Sequence, residues 1–290
     1  MANPRLHQAR AGRVPAGGGS VMRAKQGELW VDDSGTGPAV VLLHGTPSAP
    51  EDFAPLVDIL ARDRRVLVPH APGYGRTPRD LAPDSLADVV ARLEETLLRV
   101  GVSETDFVAF SGGAYKAVAV ALRGRVGLGR LALLSPVLGL DPPVAQAYRD
   151  LAAAARAGSF DPRPTWLDRM TAPGFATRDP AGAARVLAWL DAVPLSVLCD
   201  ELVAMADAPD LRPRVAELAC PLLVCAGTAD NAVPLAWSRA VAASSPRGRF
   251  VSIEGAGHAL LVEAPTPTLR VLGDFLGRVN AEPVSVLEEG

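Results

Sequence analysis

Phe107-Val108-Ala109-Phe110-Ser111-Gly112-Gly113-Ala114 reads as a buried strand that stops at a serine and runs at once into a helix, Tyr115 to Arg123. A serine held on so sharp a strand-to-helix turn has strained backbone geometry, and the residues two before and two after it must be small for the chain to cross itself. Ala109 and Gly113 meet that demand. The turn lifts the Ser111 hydroxyl clear of the sheet. It also sets the Gly112 amide at a helix N-terminus, where negative charge is stabilised.

Three further segments share this form of a strand ending in a functional turn. In Val41-Leu42-Leu43-His44-Gly45-Thr46-Pro47 an apolar strand ends in a tight turn that Gly45 permits, and the Thr46 amide is the second candidate donor to an oxyanion near Ser111. Pro221-Leu222-Leu223-Val224-Cys225-Ala226-Gly227-Thr228-Ala229-Asp230 delivers a carboxylate, and Ile253-Glu254-Gly255-Ala256-Gly257-His258 delivers an imidazole. Ser111, Asp230 and His258 thus follow one another in the order Ser, Asp, His. Each stands just past the C-terminal end of a strand, where ligands bind in open α/β sheets.

The rest of the chain fits a mostly parallel, buried sheet flanked by helices. Strands are expected at Glu28 to Val31, Ala39 to Leu43, Arg65 to Val68, Leu131 to Leu134, Leu222 to Ala226 and Arg249 to Ile253. The turn Ser34-Gly35-Thr36-Gly37-Pro38 suggests that the first two form a hairpin. Phe53, Leu56, Val57 and Leu60 have helical spacing, and Ser85-Leu86-Ala87-Asp88 opens a second helix with a capping pattern, continued by Val89, Leu93 and Leu97. From about Gly139 to Pro209 the alternation stops. Helical patterns around Val144 to Ala157, Ala181 to Ala192 and Leu195 to Ala206, punctuated by prolines, predict an insertion of short helices. The expected division is a core of 22–138 and 210–279, a helical lid of 139–209, and tails at 1–21 and 280–290.

Composition removes several function classes. Across 290 residues, 29 Lys and Arg stand against 32 Asp and Glu, with no basic cluster of the kind that neutralises nucleic-acid phosphates. The longest apolar runs fall far short of the roughly 20 residues of a membrane helix. The first twenty residues lack the apolar region of a secretory signal. Cys199, Cys220 and Cys225 make an odd set without a CxxC, which fits a reducing, cytoplasmic setting better than a disulfide framework or a zinc site. No metal, nucleotide or flavin is suggested, and the expected partner is a small-molecule substrate.

With these segments in hand, the chain resembles the α/β-hydrolase family over roughly Gly27 to Val279. The similar branch bears a lid and contains esterases, epoxide hydrolases, haloalkane dehalogenases and carbon–carbon bond hydrolases. His44-Gly45-Thr46-Pro47, Pro72-Gly73-Tyr74-Gly75-Arg76-Thr77, Phe110-Ser111-Gly112-Gly113, Gly227 to Asp230 and Gly257-His258 all occur in the family's order. Ala109 replaces the usual first glycine of the elbow, and His70 stands where an Asp is common. Epoxide hydrolases and dehalogenases share the His-Gly-x-Pro turn but use an Asp nucleophile. Ser111 therefore favours acyl transfer, with His258 as base and Asp230 stabilising the imidazolium. The resemblance implies a cofactor-independent, carboxylesterase-like enzyme for a small to medium apolar ester, lactone or thioester. Alternatives are carbon–carbon hydrolysis, a lyase or a cofactor-free oxygenase using the same triad, or a ligand receptor of the same fold.

Other candidates have plainer readings. His44 is expected to shape the oxyanion turn through hydrogen bonds, and His7 and His70 to be loop or surface residues. Asp141 is the rival acid. Glu263 reads as a helix-start carboxylate, Lys116 as a snorkelling helix residue, and Cys199 and Cys225 as buried inert thiols. Gly127-Leu128-Gly129-Arg130-Leu131-Ala132 matches a dinucleotide fingerprint but precedes a strand, so it is discarded. Phe110, Tyr148, Trp166 and Trp189 are the candidate substrate-binding residues, with Phe160 and Phe175 as further aromatics of the insertion.

Overall fold

The apolar runs of the sequence line up as strands of one sheet. A computed structural model describes residues 21–22, 28–79 and 85–277. Among them the strands are β1 (Val21–Met22), β2 (Val31–Ser34), β3 (Ala39–Leu43), β4 (Arg65–Pro69), β5 (Glu104–Phe110), β6 (Gly127–Leu134), β7 (Leu222–Gly227) and β8 (Gly248–Ile253). They are ordered β1-β2-β4-β3-β5-β6-β7-β8, parallel from β4 to β8 and antiparallel at β1 and β2.

Period-two alternation sends each apolar run to both faces of the sheet. Val41, Leu43, Phe107, Ala109, Leu131, Leu133, Leu222 and Val224 join one buried cluster. Their neighbours Val40, Leu42, Val108, Phe110, Ala132, Leu134, Leu223 and Cys225 join the other. Fully burying a side chain of Leu or Phe size contributes roughly 1.5–3 kcal/mol, so these central strands anchor everything that hangs from their ends.

The helices are α1 (Ala54–Leu60), α2 (Leu86–Arg99), α3 (Gly112–Arg123), α4 (Pro142–Arg156), α5 (Arg163–Met170), α6 (Phe175–Arg178), α7 (Pro180–Ala192), α8 (Leu195–Asp207), α9 (Leu235–Ser244), α10 (Leu260–Glu263) and α11 (Pro265–Leu276). Ser85 caps α2 as its sequence suggests, its hydroxyl accepting the Asp88 N–H at 3.2 Å. Helices α4 to α8 lie between β6 and β7, and several begin at prolines: Pro142 and Pro180 open α4 and α7, and Pro162 and Pro194 cap α5 and α8. This insert is packed directly onto the sheet. Phe175, Val186 and Trp189 belong to one sheet cluster, and Ala204 and Met205 to the other.

Two expectations need correction. The strand expected at Glu28 starts at Val31 and forms no hairpin with β3; it pairs antiparallel with β4, Val31 opposite Pro69 and Ser34 opposite Val66. The reason is that β3, apolar on both faces, takes a parallel neighbour on each side, while β2 carries Asp32 and Asp33. Those carboxylates are satisfied at the sheet margin, Asp33 by Arg65 at 2.6 Å and Asp32 by His70 at 3.0 Å. The discarded glycine motif at 127–132 is itself the first part of β6. His7 lies outside the described residues.

Candidate active site

The first fixed point is the elbow after β5. Ser111 has φ 50° and ψ −119°, a conformation that costs of order 1–3 kcal/mol for a non-glycine residue. Neighbouring strands hold it there. Its N–H donates to the Leu134 carbonyl at 2.9 Å, and its carbonyl accepts from Ala114 N at 3.0 Å and Val137 N at 3.2 Å. A Cβ at position 113 would lie 2.4 Å from the Leu43 carbonyl oxygen and 2.6 Å from that of His44. Only glycine lets α3 start this close to the end of β3, and that approach brings the 44–46 turn against Ser111.

The second point is the pair of loops after β7 and β8. They are tied to each other by Thr228 N–H to Ile253 O at 3.0 Å and Ala229 N–H to Ala256 O at 2.9 Å. His258 Nδ1 is 2.9 Å from Asp230 Oδ2, and its Nε2 is 2.9 Å from Ser111 Oγ. The other Asp230 oxygen accepts the Ala232 and Val233 amides, each at 2.9 Å. Burial pushes the Asp230 carboxyl up, but the His258 charge and hydrogen bond and the two amides outweigh it, so the group sits below the ordinary carboxylate range. Phe110 packs its ring against His258, with centroids 5.1 Å apart. Ser111, His258 and Asp230 therefore form one hydrogen-bonded chain, buried from end to end.

The third point is the turn holding Thr46. His44 Nδ1–H donates to Gly45 O at 2.9 Å and Nε2 accepts the Ala71 N–H at 3.0 Å. Burial, aided by the Lys116 charge, pushes its pKa down to about 3, which keeps the ring neutral. Among the described residues, neither the Thr46 nor the Gly112 N–H has a protein acceptor, which leaves both amides free to serve a developing oxyanion. Thr46 adjoins a buried polar cluster in which Glu201 of α8 accepts from Lys116 Nζ at 2.8 Å and from the Tyr74 hydroxyl. Burial pushes the Glu201 carboxyl up, but the Lys116 charge and hydrogen bond, helped by Thr46 and Tyr74, outweigh it, and the net shift is downward.

A cavity of about 130 Å³ opens over Ser111 and His258. Its lining includes Leu195, Leu198, Cys199 and Leu202 of α8, together with Tyr148 and Trp166.

The model of the Alpha/beta hydrolase family matches residues 40–271. The chain belongs to that family. It is 31% identical over 243 residues to a pimeloyl-[acyl-carrier protein] methyl ester esterase of Xanthomonas campestris, covering 80% of this chain and 92% of the relative. It is 28% identical over 255 residues to a putative carbamate hydrolase, RutD, of Pseudomonas savastanoi, covering 82% and 93%. A thermophilic esterase from Thermogutta terrifontis matches its structure with a TM-score of 0.77 at 25% identity, covering 89% and 97%. The chain is accordingly a hydrolase of this fold.

Within this α/β hydrolase, several side chains stand elsewhere than the sequence suggests. Tyr148, Trp166 and Phe160 line the cavity, but Phe110, Phe175 and Trp189 do not. The strand alternation turns Phe110 into the sheet cluster, where Trp189 packs on it at 6.1 Å and Phe175 joins them. Asp141, the rival acid, stands just before α4 without a side-chain capping bond and is held by Arg212 at 2.6 Å. Glu263 ends α10, and its carboxylate takes the Ala172 N–H at 2.8 Å and the Ala259 N–H at 3.2 Å, bracing the His258 loop. Lys116 is buried in its ion pair and does not snorkel. His70 is buried too, accepting Arg76 N–H at Nδ1 and donating from Nε2 to Asp32.

Sequence reading missed Val137, Arg169, Met170, Ala232, Val233 and the α8 face as cavity walls. Only α8 had a legible signal, since 195, 198, 199 and 202 share one side of a helix. Among the described residues no group of three or more His, Cys, Asp or Glu could hold a metal, and no helix is long and apolar enough to cross a membrane.

Proposed function

We propose that this chain is a cofactor-independent serine hydrolase that cleaves a small to medium apolar ester, lactone or thioester through an acyl-enzyme on Ser111. The observation that carries this reading is the Ser111–His258–Asp230 chain, with both contacts at 2.9 Å. Ser111 Oγ attacks the substrate carbonyl while His258 Nε2 takes its proton, and Asp230 stabilises the imidazolium from the Nδ1 side. The Thr46 and Gly112 amides receive the oxyanion of the tetrahedral intermediate. Collapse expels the alcohol or thiol, protonated by His258. Water, activated by the same imidazole, then releases the acid and restores Ser111.

Three things support this reading. The cavity is mainly apolar, and its volume of about 130 Å³ is close to the roughly 150 Å³ known to accept a benzene ring. The relatives' names, a methyl ester esterase and a putative carbamate hydrolase, both describe transfer of an acyl group to water. Asp230 is secured by two backbone amides in addition to His258, as a group that must stay ionised beside an imidazolium requires. The helices α4 to α8 are, on this reading, the lid that shapes specificity, and the reaction takes place in the cytoplasm.

The test is hydrolysis of p-nitrophenyl esters from acetate to decanoate, with Ser111→Ala and His258→Ala beside the wild type. Turnover that depends on both residues and peaks at a short acyl chain is expected. Folded wild type that turns over none of these esters would move the reading to carbon–carbon chemistry or to a ligand receptor.

A further inference from the structure

Among the described residues, Arg169, in the last turn of α5, is the one arginine, lysine or carboxylate side chain with a place in the wall of the Ser111 cavity. It also lines a second cavity of about 250 Å³, which shares Val137, Tyr148, Arg169, Ala232 and Val233 with the first. Arg169 thus borders both spaces. Its partner is Tyr148: Nη2 donates to the Tyr148 hydroxyl at 3.5 Å, and the guanidinium carbon lies 5.7 Å from the ring centroid. Neither contact neutralises the charge.

Several other arginines have carboxylate partners. Arg149, Arg156 and Arg185 of the same insert hold Asp207, Asp200 and Asp52. Arg212, which also lines the second cavity, is tied to Asp141 and Asp210. Among the described residues Arg169 has no carboxylate partner. It is exposed at the opening, where a cation keeps part of its hydration until an anion arrives and so avoids the penalty of burying an unpaired charge. A guanidinium also offers a planar fork of donors that matches a carboxylate.

We propose that Arg169 forms a carboxylate subsite, and that the substrates of this site are half-esters of short dicarboxylic acids. The ester carbonyl lies at Ser111 and the free carboxylate meets Arg169. This rests on the acyl-enzyme reading above and replaces the apolar end of its acyl chain with a carboxylate. Hydrolysis adds one water and yields the dicarboxylate and the alcohol, with no other reactant.

The experiment compares mono-p-nitrophenyl glutarate with p-nitrophenyl valerate, which has the same chain length without the charge, on wild type, Arg169→Lys and Arg169→Gln. The ratio of kcat/KM for the half-ester over the neutral ester should exceed one in the wild type. It should fall roughly tenfold or more in Arg169→Gln, the scale of a lost hydrogen bond to a charged group, with partial retention in Arg169→Lys. A wild-type ratio below one, or one that Arg169→Gln leaves unchanged, overturns the subsite while leaving the serine mechanism intact. Should wild type cleave neither ester, calorimetry decides: Ser111→Ala must bind monomethyl glutarate more tightly than methyl valerate, and adding Arg169→Gln must remove the difference. Equal binding there overturns the proposal.

Discussion

Lys116 and Glu201 form a buried ion pair, Nζ to Oε1 at 2.8 Å, between the helix that follows Ser111 and the last helix of the insert. The two side chains are only 5% and 10% exposed. The pair fastens the insert to the core behind the Thr46 turn. Removing one partner strands the other charge, which typically costs about 3–5 kcal/mol. Glu201→Gln should therefore lower the urea midpoint strongly with no change in m-value, and Lys116→Met with Glu201→Leu should recover much of the loss. Because the folded carboxyl lies below its ordinary value of 4.5, its contribution is present above that pH and lost on acidification below it. Glu201→Gln should lack that part of the acid sensitivity. Equal stability of Glu201→Gln and wild type at pH 7 would contradict this.

Gly113→Ala tests the elbow. The added methyl meets two backbone carbonyl oxygens, at 2.4 and 2.6 Å, neither of which can swing aside as a flexible side chain does. A destabilisation of about 3 kcal/mol or more is expected, at the upper end for overpacking, together with lost activity. Thermal unfolding checks the first, and ester turnover of the folded fraction checks the second. An unaltered melting temperature would mean that α3 does not cross β3 this closely.

His44 gives a pH signature. Its folded pKa of about 3 lies below the ordinary 6.5, so between those values the unfolded chain binds a proton that the folded chain excludes. Stability on this account falls as pH drops from 6.5 toward 3, by at most about 1.4 kcal/mol per pH unit. His44→Asn should show a slope shallower by about one proton in denaturant titrations across that range. An identical slope would place the acid sensitivity elsewhere.

The placement of Ser111, Asp230 and His258 was legible because each stands just past a strand end. The runs at 39–43, 107–110 and 222–226 are apolar on both faces, so they had to be central strands, and the turn residues after them followed in sequence. The false hairpin came from reading a strong turn at 34–38 as local pairing, when β4 takes the place between β2 and β3. Charged helix residues were harder still. Nothing local distinguishes Lys116 from a solvated lysine, because its partner is 85 residues away. Phe110 and Trp189 were misplaced for a similar reason: both are aromatic and near the serine in sequence or in the insert, but their direction is set by strand alternation and by packing under α7.

Asp230→Asn separates orientation from binding. The amide would keep the volume of the carboxylate but remove the charge that faces His258 Nδ1. A fall in kcat of about 10³- to 10⁴-fold with little change in KM is expected for a triad acid. Steady-state kinetics on the best p-nitrophenyl ester checks it, and an unchanged kcat would remove Asp230 from the mechanism.

The most direct measurement is of the acyl-enzyme itself. Rapid mixing of wild type with a slow p-nitrophenyl ester, read by released nitrophenolate and by intact-protein mass after acid quench, should give a burst of about one equivalent and one acyl adduct. Peptide mapping should find the adduct on Ser111, and Ser111→Ala should give neither burst nor adduct. Steady turnover with no adduct, or an adduct and burst that survive in Ser111→Ala, would contradict the assignment of Ser111 as nucleophile.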